Sequence, residues 1–227
     1  MKQWKTTGLF FLLFATWLTL FWVTGSRTPW QIFTPRNQDD GIVVPLGEMA
    51  ERNYDRMGFE GGEIRYVPSN GWLVGTANGE LRLLSKEGGE KWSHPIGSGL
   101  IRSLALSPDG KRVYVGEKSP DGYLYAMNTS SGDILWKFKG FDVIGGEPDI
   151  RADPQTIHIS TDREGNIYAV FYRFTITDSG QRGYLSRVVS FTPSGEERWR
   201  FPKDPAMDGW VNSGELSKAG ISYALGT

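Results

Sequence analysis

Between Tyr123 and Asn128 the side chains alternate, with Leu124, Ala126 and Asn128 on one face and Tyr123, Tyr125 and Met127 on the other. A period of two is that of a β-strand. Asp121-Gly122 before it is a turn signal. Thr129-Ser130-Ser131-Gly132-Asp133 after it is a polar reversal, in which Gly supplies positive φ while Ser and Asp bond their own backbone. Ile134 to Lys139 returns as a second strand carrying Trp136. A lone hairpin cannot bury its apolar face, so this one needs neighbours.

The neighbours are copies. Asn78 to Trp92 repeats the design, and so does Val188 to Trp199, with a glycine four residues before each tryptophan: Gly88 and Trp92, Gly132 and Trp136, Gly195 and Trp199. Trp92 and Trp136 stand roughly 44 residues apart, and the longer gap to Trp199 contains an insertion, a period that marks propeller blades of about four strands. The pattern predicts a first blade from Glu63 to Pro95, a second from Leu100 to Lys139 and a third from Thr156 to Phe201. Trp210–Leu216 and Ile221–Gly226 read as the first two strands of a fourth. Phe141 to Pro154 reads as a long polar connection, and Thr177 to Gly183 as a widened loop.

These residues resemble a known pattern. Asp121 to Phe138, DGYLYAMNTSSGDILWKF, is similar to the pyrroloquinoline-quinone-type repeat of quinoprotein-like β-propellers. Leu104 to Gly116 is similar to the seven-residue-signature (YVTN, WD40-like) propellers of surface-layer and cell-surface proteins. The resemblance covers roughly Arg65 to Thr227 and implies an all-β fold, a partial β-propeller of about three and a half four-stranded antiparallel blades. It also implies that Trp92, Trp136 and Trp199 dock adjacent blades. The enzymes of this family hold their quinone under an adjacent Cys-Cys disulfide, with a metal on Glu and Asn and a catalytic Asp. This chain contains no cysteine, and no residue matches the metal ligands or the catalytic Asp. The expected sites are therefore none for catalysis, cofactor or metal.

The amino terminus has a different texture. Lys2 and Lys5 precede the apolar run Leu9 to Val23, and Thr24-Gly25-Ser26 follows. This is the layout of a secretory signal, cleaved after Gly25, or of an uncleaved anchor in which Trp17, Trp22 and Trp30 seat at the interface. A buried core helix is the third reading. Either of the first two makes the remainder extracytoplasmic, membrane-anchored or secreted. The domains are then 1–25 as signal peptide or anchor, a hydrophobic helix; 26–60 as a linker or strap with Pro29, Pro35 and Pro45; and 61–227 as propeller repeats. Three full blades are fewer than the four to eight of closed propellers. The chain therefore reads as the amino-terminal fragment of a longer propeller, or as one that closes on another copy or a second polypeptide.

Charge narrows the partners. Lys plus Arg number 25 against 26 Asp plus Glu, which gives no global field for nucleic acid or an acidic membrane surface. His94 and His158 are the only histidines; they lack metal-ligand spacing and no Gly-x-Ser-x-Gly elbow accompanies them. Asp162-Arg163-Glu164-Gly165-Asn166 lacks the ligand ladder of a calcium loop and reads as a turn. Gly88-Gly89 and Gly145-Gly146 lack the Lys-Ser/Thr of a phosphate cradle. Two functional readings follow. The first is a non-enzymatic scaffold binding a protein or cell-envelope partner; the second is a quinone-dependent oxidoreductase or another propeller enzyme. An acidic or histidine cluster on the innermost strands would favour the enzyme. Ser103 to Leu106 and Ile157 to Ser160 are mostly apolar, which favours binding.

Overall fold

The computed structural model describes residues 62–176, 182–203, 207–208, 210–217 and 220–226. All of them belong to one of the two units into which the chain divides, Ile42–Thr227. The apolar run Leu9 to Val23 and the proline-bearing segment 26–60 lie outside the described residues. Among the described residues, no helix is long and apolar enough to cross a membrane.

The described chain is a partial β-propeller. Its first blade is the antiparallel meander β1 (Glu63–Val67), β2 (Gly71–Gly75), β3 (Glu80–Leu84) and β4 (Glu90–Pro95), hydrogen-bonded in chain order. The second is β5 (Leu100–Leu106), β6 (Arg112–Lys118), β7 (Tyr123–Asn128) and β8 (Ile134–Lys139). The third is β9 (Gln155–Thr161), β10 (Ile167–Ile176), β11 (Arg182–Phe191) and β12 (Glu197–Phe201). The short β13 (Met207–Asp208) pairs with β11, and β14 (Trp210–Ser217) pairs with β15 (Gly220–Gly226). Lys118 at the end of β6 pairs with Gln155 of β9, which joins the second and third blades into one hydrogen-bonded sheet.

The alternation read along Tyr123–Asn128 is used on both faces. Tyr125 and Met127 pack with Leu73, Leu81 and Leu83 of the first blade; Leu124 and Ala126 pack with Phe171, Val189 and Phe191 of the third. Both faces of β7 are covered. Each such leucine or valine removed from water contributes about 1.5–3 kcal/mol, and this drives the stacking.

The register breaks at recurrent places. On the outer hairpin of each blade one residue is skipped just before the tryptophan: Lys91, Leu135 and Arg198. On the innermost strand the skipped residues are Arg102, Ile157 and, in β14, Asn212. A bulge rotates the residues beyond it, so the first two outer bulges turn Trp92 and Trp136 toward the next blade.

One element departs from the expectation. The connection Phe141–Pro154 is not simply polar. Phe141–Ile144 forms one helical turn and Ile150–Ala152 a 3-10 turn, and Val143 and Ile144 are buried in the core between the second and third blades. Two adjacent apolar residues are too short a run to show a period, which hides a plug of this kind in the sequence.

Candidate functional site

The three blade tryptophans do not share one environment. Trp92 donates Nε1–H to Thr129 O at 3.2 Å, on the turn of the second blade. A Cβ on Gly132 of that turn would come within 2.3 Å of His94 Cδ2 and 3.1 Å of Trp92 Cε3. Trp136 repeats this one blade on, donating to Pro193 O at 3.2 Å and resting on Gly195, where a Cβ would fall 2.7 Å from its ring. The glycines of the second and third motifs thus seat the preceding blade's indole, and their φ of 76° at Gly132 and 92° at Gly195 suits the turn as well. Trp199 is 39% exposed, and its ring lies 5.9 Å from Tyr168 of its own blade.

The innermost strands are sewn to one another. The Arg65 guanidinium donates to Leu104 O at 3.2 and 2.9 Å, Ser103 Oγ to Thr156 O at 2.7 Å, and Thr161 Oγ1 to Leu106 O at 3.0 Å. His158 lies half-buried on this face and its Nε2 has no hydrogen-bond partner. Burial, helped by the charge of Arg65, holds its imidazole below the usual range. Among the described residues no carboxylate is bonded to this ring. Among the described residues no group of three His, Asp or Glu side chains could hold a metal. His94 Nε2 sits 3.1 Å from Ser131 O, a contact between blades.

The chemistry concentrates instead where one blade passes to the next. Glu117 and Lys118 end β6 side by side, fully buried at 1% and 0% exposure. Glu117 turns toward the first blade. Its Oε1 accepts the backbone N–H of Ser98 at 2.8 Å and Gly99 at 2.9 Å, and its Oε2 accepts the Tyr125 hydroxyl at 2.9 Å. Burial pushes its carboxyl above the ordinary range, and these bonds pull it partway back. The Tyr125 hydroxyl is driven far upward by burial and by the carboxylate. Lys118 turns the other way, donating from Nζ to Arg151 O and Asp153 O, both at 3.2 Å.

Lys118 therefore anchors the floor of a cleft of about 340 Å³, lined by Pro120, Phe141, Gly146, Glu147, Pro148 and Asp153. Phe141 is 43% exposed at its edge. Arg173 fixes one wall, bonding Ile144 O at 2.7 Å and Glu147 Oε1 at 2.6 Å. Arg151 grips Asp149 with both arms of its guanidinium, which holds that carboxyl down at about 2. Lys139 is bound to Asp121 at 2.7 Å and places its Nζ 5.4 Å from the Phe141 ring centre. Sequence reasoning missed Glu117, Lys118 and this cleft. The only sequence signal was a charged pair closing an otherwise apolar strand, V-Y-V-G-E-K.

No family model matches the chain, and no curated protein matches it. Two of the solved structures to which the chain is similar are propeller domains. One is the β-propeller domain of Myceliophteria thermophila Cps50 (Swd1), at 18% identity over 64% of this chain and 42% of that one, with a TM-score of 0.44. The other is the WD40 β-propeller domain of Doa1, at 15% identity over 71% of this chain and 46% of that one, with a TM-score of 0.48. The matched part of this chain spans less than half of either structure.

Proposed function

We propose that this chain is a non-enzymatic propeller scaffold that binds a protein partner at the blade connections. The observation that carries the reading is the cleft beside Phe141. An aromatic side chain is left 43% exposed in a lining that also holds two prolines, on a connection whose backbone is held by a fully buried lysine. Apolar, preorganised surface of that kind favours binding, because little order has to be imposed when the partner arrives. The apolar stretch Leu9 to Val23 supports the further reading that the scaffold works outside the cytoplasm, tethered or secreted, where a cell-envelope protein would be its partner. The resemblance of Asp121 to Phe138 to quinoprotein repeats bears on blade architecture and not on quinone chemistry, for which no ligand set is present in the sequence.

A photocrosslinking amino acid at position 141, introduced into the full-length chain in cells, tests the site. The same group at position 111, on the exposed turn between β5 and β6, is the control. A discrete protein adduct from position 141 and none from position 111 is the expected result. Equal adducts from both, or none from either, would overturn the assignment.

A further inference from the structure

We infer that Trp199 and the outer edge of β15 form a docking surface for a β-hairpin of another protein, one whose turn carries a glycine at positive φ. This surface shares no residue with the cleft beside Phe141.

The first two seams define what an indole of this repeat takes. Trp92 donates to Thr129 O and lies against Gly132; Trp136 donates to Pro193 O and lies against Gly195. Acceptor and glycine belong each time to the turn between the third and fourth strands of the next blade, β7–β8 and then β11–β12. Trp199 holds the same place in the third blade. It lies across from Ser190, as Trp136 lies across from Ala126 and Trp92 from Leu83. Yet it is 39% exposed, and among the described residues its Nε1 has no acceptor. Phe201, two residues on, is 60% exposed. The strand beneath is already fixed. Tyr168, beside the Trp199 ring, donates its hydroxyl to Asp162 at 2.8 Å, and Arg198 donates to that hydroxyl at 3.2 Å and to Ser190 Oγ at 3.1 Å. Little order remains to be imposed when the turn arrives.

The edge of β15 asks for the same element. In the first three blades the second strand pairs with a third: β2 with β3, β6 with β7 and β10 with β11. β14 and β15 pair with each other and β14 packs against the third blade, but among the described residues β15 has no further strand partner. Two added strands would complete this sheet, and the turn joining them is the element that seats an indole in both other seams. Strand addition supplies main-chain hydrogen bonds, and Trp199 supplies the aromatic anchor.

The hairpins of this chain are already in use. β3–β4, β7–β8 and β11–β12 are each bonded to the inner strands of their own blade. A second copy carries the same hairpins, whose inner strands would have to lie where β14 and β15 already are. The occupant is therefore a hairpin of a different protein with its first edge free. Its glycine is a requirement of the seat, since a Cβ at position 132 or 195 would come within 3.1 or 2.7 Å of the indole.

The test uses the full-length chain in non-ionic detergent and two fluorescein-labelled peptides of residues 123–139, closed into hairpins by a disulfide between cysteines added at their ends. One has the natural sequence and the other carries Gly132→Val. Fluorescence anisotropy should show the glycine hairpin binding saturably and at least about tenfold tighter than the valine one. Trp199→Ala in the full-length chain should remove most of that affinity. Should this variant melt early, 5-fluorotryptophan placed at position 199 alone decides instead, its fluorine resonance moving with the glycine hairpin and not with the valine one. Equal affinity for the two hairpins, no saturable binding of either, or an unmoved resonance would overturn the inference. Self-association of the chain without peptide, abolished by Trp199→Ala, would give the surface to a second copy and overturn the choice of partner.

Discussion

The middle blade has two seams, and they are built differently. The seam with the first blade is largely aliphatic: Leu73, Leu81, Leu83, Ile101, Leu104, Val113 and Val115 around Tyr125 and Met127. The seam with the third is aromatic. Tyr114 and Trp136 lie 6.1 Å apart, Trp136 and Phe191 6.1 Å, Phe138 and Phe191 4.7 Å, and Phe138 and Phe171 5.6 Å. The connections differ in step. Four residues, Ile96 to Gly99, cross the first seam, whereas Phe141 to Pro154 crosses the second and contributes its own apolar plug. The buried charges follow from the connections. The short one presents amide N–H groups inward and meets a carboxylate; the long one presents carbonyls inward and meets an ammonium. Two adjacent side chains of one strand thus complete two loops of opposite polarity, because a buried backbone group must find a partner of the opposite kind.

The largest test of this contrast removes an indole from each seam. Trp136→Ala should cost about 3 kcal/mol, the lower end for aromatic truncation because the ring is only partly buried. Trp92→Ala should cost less, about 2 kcal/mol, since it has no aromatic partner across its seam among the described contacts. Urea denaturation of the two variants checks the order, and equal losses would mean that the aromatic cluster adds nothing to the second seam.

A smaller effect is expected from the seats. Gly132→Ala and Gly195→Ala both place a Cβ at positive φ and should destabilise by more than about 1 kcal/mol. Gly195→Ala should be the worse, although its nominal clash is the milder. Trp136 is pinned by Tyr114 and Phe191, whereas the His94 ring that meets Gly132 can swing away. The reverse order in thermal melts would show that the first seam is the more rigid.

The smallest effect is one of slope. The native carboxyl of Glu117 is raised above its unfolded value, so the folded chain binds that proton more tightly. Its contribution is fully present below the ordinary glutamate pKa and is lost as pH rises through the raised one. Glu117→Gln should flatten the decline of unfolding free energy with pH across that window, as read from urea melts between about pH 4 and pH 8. Parallel pH curves for the two proteins would show that the acid does not couple the first seam to protonation.

The repeat was legible because its period is written in the chemistry of turns. Asn78-Gly79, Asp121-Gly122 and the Gly-x-x-x-Trp hairpins fix strand ends locally, and alternation fixes the faces. Every strand expected for the first three blades is present, with ends that differ by a residue or so. The bulges at Lys91, Leu135 and Arg198 were not legible. A skipped residue is a property of pairing, and nothing in K-W, L-W or R-W marks it. The site was hidden for a related reason. Glu117 and Lys118 are charged residues whose backbone partners lie 18 to 35 residues away, and a backbone amide or carbonyl has no sequence signature.

Those outer bulges also bear on solubility. The rim strands β4, β8 and β12 are the ones whose outer hydrogen-bonding edges a foreign strand could copy. Each is bulged at its second residue, so an incoming strand meets a kinked edge with only a short regular run to extend. Two of the three interruptions carry a cation, Lys91 and Arg198. At the third, the exposed Ile134 and Leu135 are bracketed by Asp133 and Lys137. The irregularity that accompanies each repeat tryptophan thereby also guards its strand against edge-to-edge aggregation.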